Sequence, residues 1–239
     1  KKLAAMAEKS KDQIVKPITK ETIKEDLIML TDNMNDQLRE KVIQSINTKE
    51  SVSLLLIGSS ISFSMEEQTI SWPYSLENEL NSFYGPNVFI TNILNLEDIS
   101  SSHLIETDGH IGIAAIRPDI IVIEPLLLND NGFVKVEDTI SNLEELIAVV
   151  KNESPEVFVI IQPSNPTYNP SYYEFQIKTL KEYAQKNNYE YLDHWMEWPS
   201  VLDEELQLYL NGDLPNEDGH RIWSEFTNNY FIANKEKAG

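Results

Sequence analysis

The chain has 239 residues, a length one α/β domain can fill while burying a sizeable core. With 41% hydrophobic and 24% charged residues, 8 Gly and 11 Pro, it is composed like a globular protein and unlike a disordered, collagenous or membrane-spanning one. The 39 acidic residues against 19 basic ones give a formal charge of -20, so the average surface repels phosphate backbones and anionic headgroups and nucleic acid is not an expected partner. There is no cysteine, which excludes thiolate metal sites, a cysteine nucleophile and disulfides. Any nucleophile is therefore an oxygen or a lysine.

No run reaches the ~20 apolar residues that cross a bilayer. The chain opens without Met in a Lys-rich segment, Lys1 to Lys20. Loss of a signal or anchor would leave such a start and implies an extracellular or envelope location; a trimmed cytosolic protein would look the same.

Residues 1–50 are polar and helical in character. Ile14, Ile18, Ile23, Leu27, Leu30, Met34, Leu38 and Val42 recur at three to five residues. Pro17 interrupts the first part, so the spacing predicts an arm or stalk over Lys1–Val15 and one or two helices from about Lys20 to Ser45. These helices either pack on the main domain or space it from an anchor.

From Ser51 the pattern changes to short β-branched runs alternating with helical stripes, the mark of βαβ units and a parallel sheet. The strand runs are Val52–Ile57, Val88–Ile93, Ile120–Glu124, Val157–Gln162 and Tyr189–Leu192. Helices are expected over Pro73–Phe83, His103–Ile116, Val136–Val150 and Ser171–Lys186, with a last one starting near Glu217. The prediction is an α/β domain over 51–239, a three-layer α/β/α sandwich around a five-stranded parallel sheet, with an N-terminal helical extension over 1–50. In such sheets sites lie beyond the carboxyl ends of strands, where the loops after Ile57, Ile93, Glu124 and Gln162 and the last loop should converge.

Three segments carry residues suited to chemistry there. The first strand ends in Gly58-Ser59-Ser60, a turn that would expose a hydroxyl and leave a backbone N–H for an oxyanion. Serine is equally at home as a helix N-cap. After the third strand, Asn129 and Asp130 follow Leu126-Leu127-Leu128. An asparagine amide there can supply a second oxyanion donor, although Asn-Asp-Asn is also ordinary turn chemistry. His220, one of four histidines, sits late in the chain at a helix start, where a serine hydrolase brings its general base and where a structural histidine also fits.

Beyond the fourth strand, Gln162 to Pro170 is a Pro-fixed, amide-rich loop with Asn165 and Tyr168, suited to line a groove. Trp72, Tyr168, Tyr172, Tyr173, Trp195, Trp198 and Trp223 are either core or rings that stack on a sugar or cover an acyl chain. Ser59, Asn165, Tyr168 and Trp195 are the substrate-binding candidates.

Gly58-Ser59-Ser60 resembles the Gly-Asp-Ser block of SGNH/GDSL hydrolases. Leu127-Leu128-Asn129-Asp130 resembles their Gly-x-Asn-Asp block, and Pro215 to His220 resembles the stretch after their Asp-x-x-His block. Asp193-His194-Trp195 looks like an Asp-rich turn of the same enzymes. The resemblance runs over roughly Ser51 to Phe231. It implies a flavodoxin-like sandwich and ester hydrolysis that needs neither metal nor cofactor, with Ser60 as nucleophile and Asn129 in the oxyanion hole.

The chain departs from the pattern at several positions. Ser59 replaces an Asp, and Asn92 to Asp98 holds no Gly where the family has an oxyanion-hole glycine. Matching Pro215-Asn216 to the family's His-Pro-Asn puts Leu214 at the catalytic His and Asn211 at its Asp. Either the base has moved to His220, oriented by Glu217 or Asp213, with His194 as a second candidate base, or the chemistry has been lost.

The expected function is thus a carboxylester hydrolase at the cell envelope, acting on small-molecule or polysaccharide esters such as acetylated glycans. Its rival is a catalytically lapsed SGNH-like module that binds a glycan or envelope partner. A flavodoxin-like nucleotide binder is disfavoured, because no Gly-rich phosphate loop follows any strand.

Overall fold

The computed structural model describes residues 20–63 and 70–234. The expected stalk over Lys1–Val15 lies outside the described residues.

Two helices come first, α1 (Lys20–Met29) and α2 (Asp36–Thr48). The side chain of Asn35 caps α2 by accepting from the Gln37 N–H, and Lys49, in the left-handed conformation, ends it. Leu38 and Val42 of α2 are fully buried in the same core as the sheet residues Leu54 and Leu56. Of the two roles open to residues 20–50, packing on the domain is the one observed.

The sheet contains β1 (Val52–Gly58), β2 (Phe89–Asn95), β3 (Ile120–Ile123), β4 (Phe158–Ile161) and β5 (Glu190–Tyr191). All pairings are parallel, in the order β2-β1-β3-β4-β5. That order is the flavodoxin-like one, whose strand order reverses beside β1. The strands are continuous apolar runs because both faces are covered. Side chains alternate between faces. Leu54, Leu56, Ile120, Val122 and Ile160 face one layer, and Leu55, Ile57, Ile121, Ile123, Val159 and Ile161 face the other.

The first layer holds α2, α3 (Trp72–Tyr84, opened by Pro73) and the last helix, α9 (Glu217–Phe231). The second holds α4 (Ser101–Glu106), α5 (Gly109–Ala114), α7 (Val136–Glu153) and α8 (Tyr173–Lys186), with α6 (Leu127–Asp130) as a single turn after β3. The single helix expected over His103–Ile116 is broken into α4 and α5, because Asp108 takes a left-handed conformation with φ 58°. An unexpected hairpin of β6 (Leu210–Asn211) and β7 (Leu214–Pro215) precedes α9.

Candidate functional site

The turn after β1 is built around a buried carboxylate that sequence reasoning passed over. Glu124 follows β3 directly and is completely buried. Its Oε2 accepts from the Ser59 N–H at 2.8 Å, the Ser59 hydroxyl at 2.8 Å and the Ser62 hydroxyl at 3.2 Å, and its Oε1 accepts from the Ser164 hydroxyl. Four donors match the lone-pair capacity of a carboxylate. Burial pushes the Glu124 pKa up from its ordinary value, and these hydrogen bonds pull against that rise. Glu124 therefore fastens the loops after β1 and β4 to the end of β3.

This hub explains Gly58 and Ser59. A Cβ on Gly58 would overlap the Cβ and hydroxyl of Ser62 and come within 3.5 Å of the Glu124 carboxylate. An Asp at 59, as in the family's block, would set a second carboxylate against Glu124, whereas serine gives it a donor. Ser59 is wholly buried with both donors committed, so the expectation that it binds substrate is corrected.

Ser60 begins a three-residue 3-10 turn, Ser60–Ser62, and is partly exposed. The capping alternative for this turn is not realised, since Ser59, at the N-cap position, makes no side-chain capping bond. The Ser60 N–H is not free: it donates to the Glu97 carbonyl at 3.1 Å. Asn129, on α6, directs its side-chain amide at the same carbonyl, at 3.3 Å, and at the Ile99 carbonyl, at 3.0 Å. The two expected oxyanion donors thus converge, but on an oxygen of the chain itself. Asp130 is a buried strut, accepting from the N–H and hydroxyl of Ser101 and from the Thr139 hydroxyl.

No imidazole is hydrogen-bonded to the Ser60 hydroxyl among the described residues. His220 lies in the first turn of α9, where Asn216 caps the helix by accepting from the Gly219 N–H at 3.1 Å. Its Nδ1 is buried without a hydrogen-bonding partner among the described residues, and burial lowers its pKa to about 4. Glu217, expected to orient it, instead meets Arg221 at 2.8 Å and points to solvent. Asp213 is exposed, and it is the backbone carbonyl of this residue that accepts from the Asn165 amide. Neither carboxylate is hydrogen-bonded to His220, and both orienting roles are corrected on that ground.

His194, the second candidate base, is fully buried. Its Nε2 meets the Pro163 carbonyl at 2.9 Å, its Nδ1 accepts from the Trp198 indole at 3.0 Å, and its ring stacks on Trp223 at 4.5 Å. Both nitrogens are committed, and burial lowers its pKa to about 3. It cannot serve as a base. Leu214, matched to the family's catalytic histidine, stands 45% exposed in the hairpin and is paired with Asn211.

The substrate-binding candidates fare unevenly. Asn165 is fully buried and ties Pro166 and Asp213 together through their carbonyls, which makes it a strut between the loop after β4 and the last loop. The Trp195 indole N–H donates to the Ser164 carbonyl at 2.7 Å, and its ring packs against Tyr173. Tyr168 is partly buried against the core. Trp72, Tyr173 and Trp223 are core, whereas Tyr172 and Phe175 are exposed as a contacting pair with ring centroids 5.4 Å apart.

His194 and His220 make stability depend on pH in one direction. Their folded pKa values lie below the ordinary 6.5, so the unfolded chain takes up protons that the folded chain refuses. Their contribution is complete above pH 6.5 and is lost as pH falls through about 4 for His220 and about 3 for His194. Carboxyls whose pKa values burial raises, Glu124 and Glu190, work in the opposite sense, so the effect is read by difference: between pH 7 and pH 5 the urea midpoint of His220→Gln should gain on that of the parent.

Among the described residues, no cluster of three His, Asp or Glu is placed to hold a metal, and no helix is long and apolar enough to cross a membrane. No protein-family model and no curated protein matches the chain. Solved structures do. A protein described as a GDSL-like lipase from Parabacteroides merdae superposes with a TM-score of 0.61 at 13% identity, covering 76% of this chain and 96% of that one. A protein described as a lipolytic member of the G-D-S-L family, from Desulfitobacterium hafniense, gives 0.57 at 17% identity, covering 75% and 99%. The acetylxylan esterase Axe2 from Geobacillus stearothermophilus gives 0.55 at 15%, covering 76% and 94%. The likeness is one of architecture: this chain is folded as the GDSL-type hydrolases are.

Proposed function

We propose that this chain is a hydrolase-fold module that binds an acylated ligand, a glycan ester being the preferred class, without turning it over. The observation that carries the reading is the state of the histidines. One has both nitrogens tied into the core, another is buried with no carboxylate bonded to it, and the position matched to the family's base is a leucine. Without a base the serine hydroxyl is a poor nucleophile, and such help contributes ~10²–10⁴-fold. The ligand class rests on the acetylxylan esterase among the fold relatives. That the partner is not a nucleic acid belongs to the same proposal and rests on the formal charge of -20.

The test is hydrolysis of a chromogenic acetyl ester by the parent and by Ser60→Ala. Equal rates are expected, and a rate that depends on Ser60 would overturn the reading. The second reading, a serine esterase with Ser60 as nucleophile and His220 as base, is favoured by one observation: the Ser60 N–H and the Asn129 amide still converge on a single oxygen.

A further inference from the structure

The oxygen on which those donors converge is the Glu97 carbonyl, just beyond β2. Glu97 is held there by its neighbours: its N–H donates to the Asn95 side chain at 2.7 Å, and the Leu96 N–H donates to the Gly58 carbonyl at 2.8 Å. Its φ is 57°, a conformation that side chains other than glycine seldom adopt.

We propose that the Glu97 carbonyl is a built-in plug, occupying the place of a ligand's acyl oxygen, and that the residue type at 97 locks it in. The proposal deepens the non-hydrolytic reading and rests on it. The Ser60 and Asn129 donors form a site for a carbonyl oxygen, and a peptide carbonyl is such an oxygen. A ligand can enter only if the peptide between Glu97 and Asp98 turns over, removing the carbonyl and bringing the Asp98 N–H round in its place. At a φ near +57° a residue with a Cβ is confined to ψ of about +30° to +60°. Turning the peptide shifts ψ by about half a turn, into territory that essentially only glycine occupies. Glutamate at 97 therefore holds the plug in, and a glycine would free it.

Amide exchange and nitrogen-15 shifts of the Ser60 backbone and the Asn129 side chain read the plug directly, with N-methylacetamide as a probe that no esterase step consumes. In the parent the Ser60 amide should exchange slowly and show no saturable shift. In Glu97→Gly it should exchange about tenfold faster or more and shift saturably with the probe. Glu97→Ala removes the carboxylate but keeps a Cβ, so it should behave as the parent. If Glu97→Gly and Glu97→Ala behave alike, or if the parent amide exchanges freely, the plug is refuted. Ester turnover is measured separately, so Ser60-dependent hydrolysis in the parent would sink the functional reading on its own evidence.

Discussion

Replacing Glu124 by alanine should lower folding stability by at least ~3 kcal/mol, read as a fall in the urea midpoint at unchanged slope. Four donors, the Ser59 N–H and the hydroxyls of Ser59, Ser62 and Ser164, would lose their acceptor together. Each such group left unpaired in the interior costs about 1–3 kcal/mol, and relief from burying the carboxyl recovers only part. Glu124→Gln should be much milder. Its amide oxygen can take the place of Oε2 and face three donors, while its NH2 faces Ser164, whose hydroxyl can rotate to accept. The pair of variants also separates charge from hydrogen bonding. Because the folded pKa of Glu124 lies above 4.5, the folded chain holds a proton that the unfolded chain has released, so its contribution is greatest below pH 4.5 and declines as pH rises above it. Glutamine lacks that decline, and the advantage of the parent over Glu124→Gln should shrink between pH 4.5 and pH 8.

Trp223→Ala should cost about 3–5 kcal/mol, the range for emptying a buried aromatic site. The indole is fully buried, stacked between Trp72 at 6.1 Å and His194 at 4.5 Å, and it donates to the Gln162 side chain at 3.2 Å. It is the joint between α9, the loop after β4 and the first helical layer. For a domain of this size the loss corresponds to a Tm lower by about 6–20 °C. Leu214→Ala, on the exposed hairpin, serves as the control and should leave Tm nearly unchanged.

The two stability effects trace which parts of the molecule can be read from the sequence. The strands were legible because runs such as Ile120–Ile123 are buried on both faces and need no long-range partner to declare themselves. The break between α4 and α5 was not, because it turns on one left-handed residue, Asp108, inside an otherwise helical stripe. The β6–β7 hairpin was missed because two-residue strands leave no alternation to detect.

The bonding of the candidate site is not legible in the sequence. The Ser60 N–H and the Asn129 amide both meet the Glu97 carbonyl, and nothing in the sequence says that a carbonyl sits between them. Glu217 lies three residues before His220, a spacing that puts two side chains on one helix face. Arg221, four residues beyond Glu217, claims its carboxylate instead. Glu124 did leave a signal, a lone charge closing a fully apolar strand. A carboxylate buried there needs several donors, and the serines at 59, 62 and 164 were available to supply them.

A Ser60 hydroxyl with no working base beside it, as proposed, should be inert to phosphonylation. The parent is treated with a fluorophosphonate over pH 5 to 9 and examined by mass spectrometry. No adduct at Ser60 beyond that of the unfolded chain is expected at any pH in this range. A stoichiometric adduct at Ser60, forming with a pH profile that rises through a single histidine titration and vanishing in His220→Gln, would contradict the proposal.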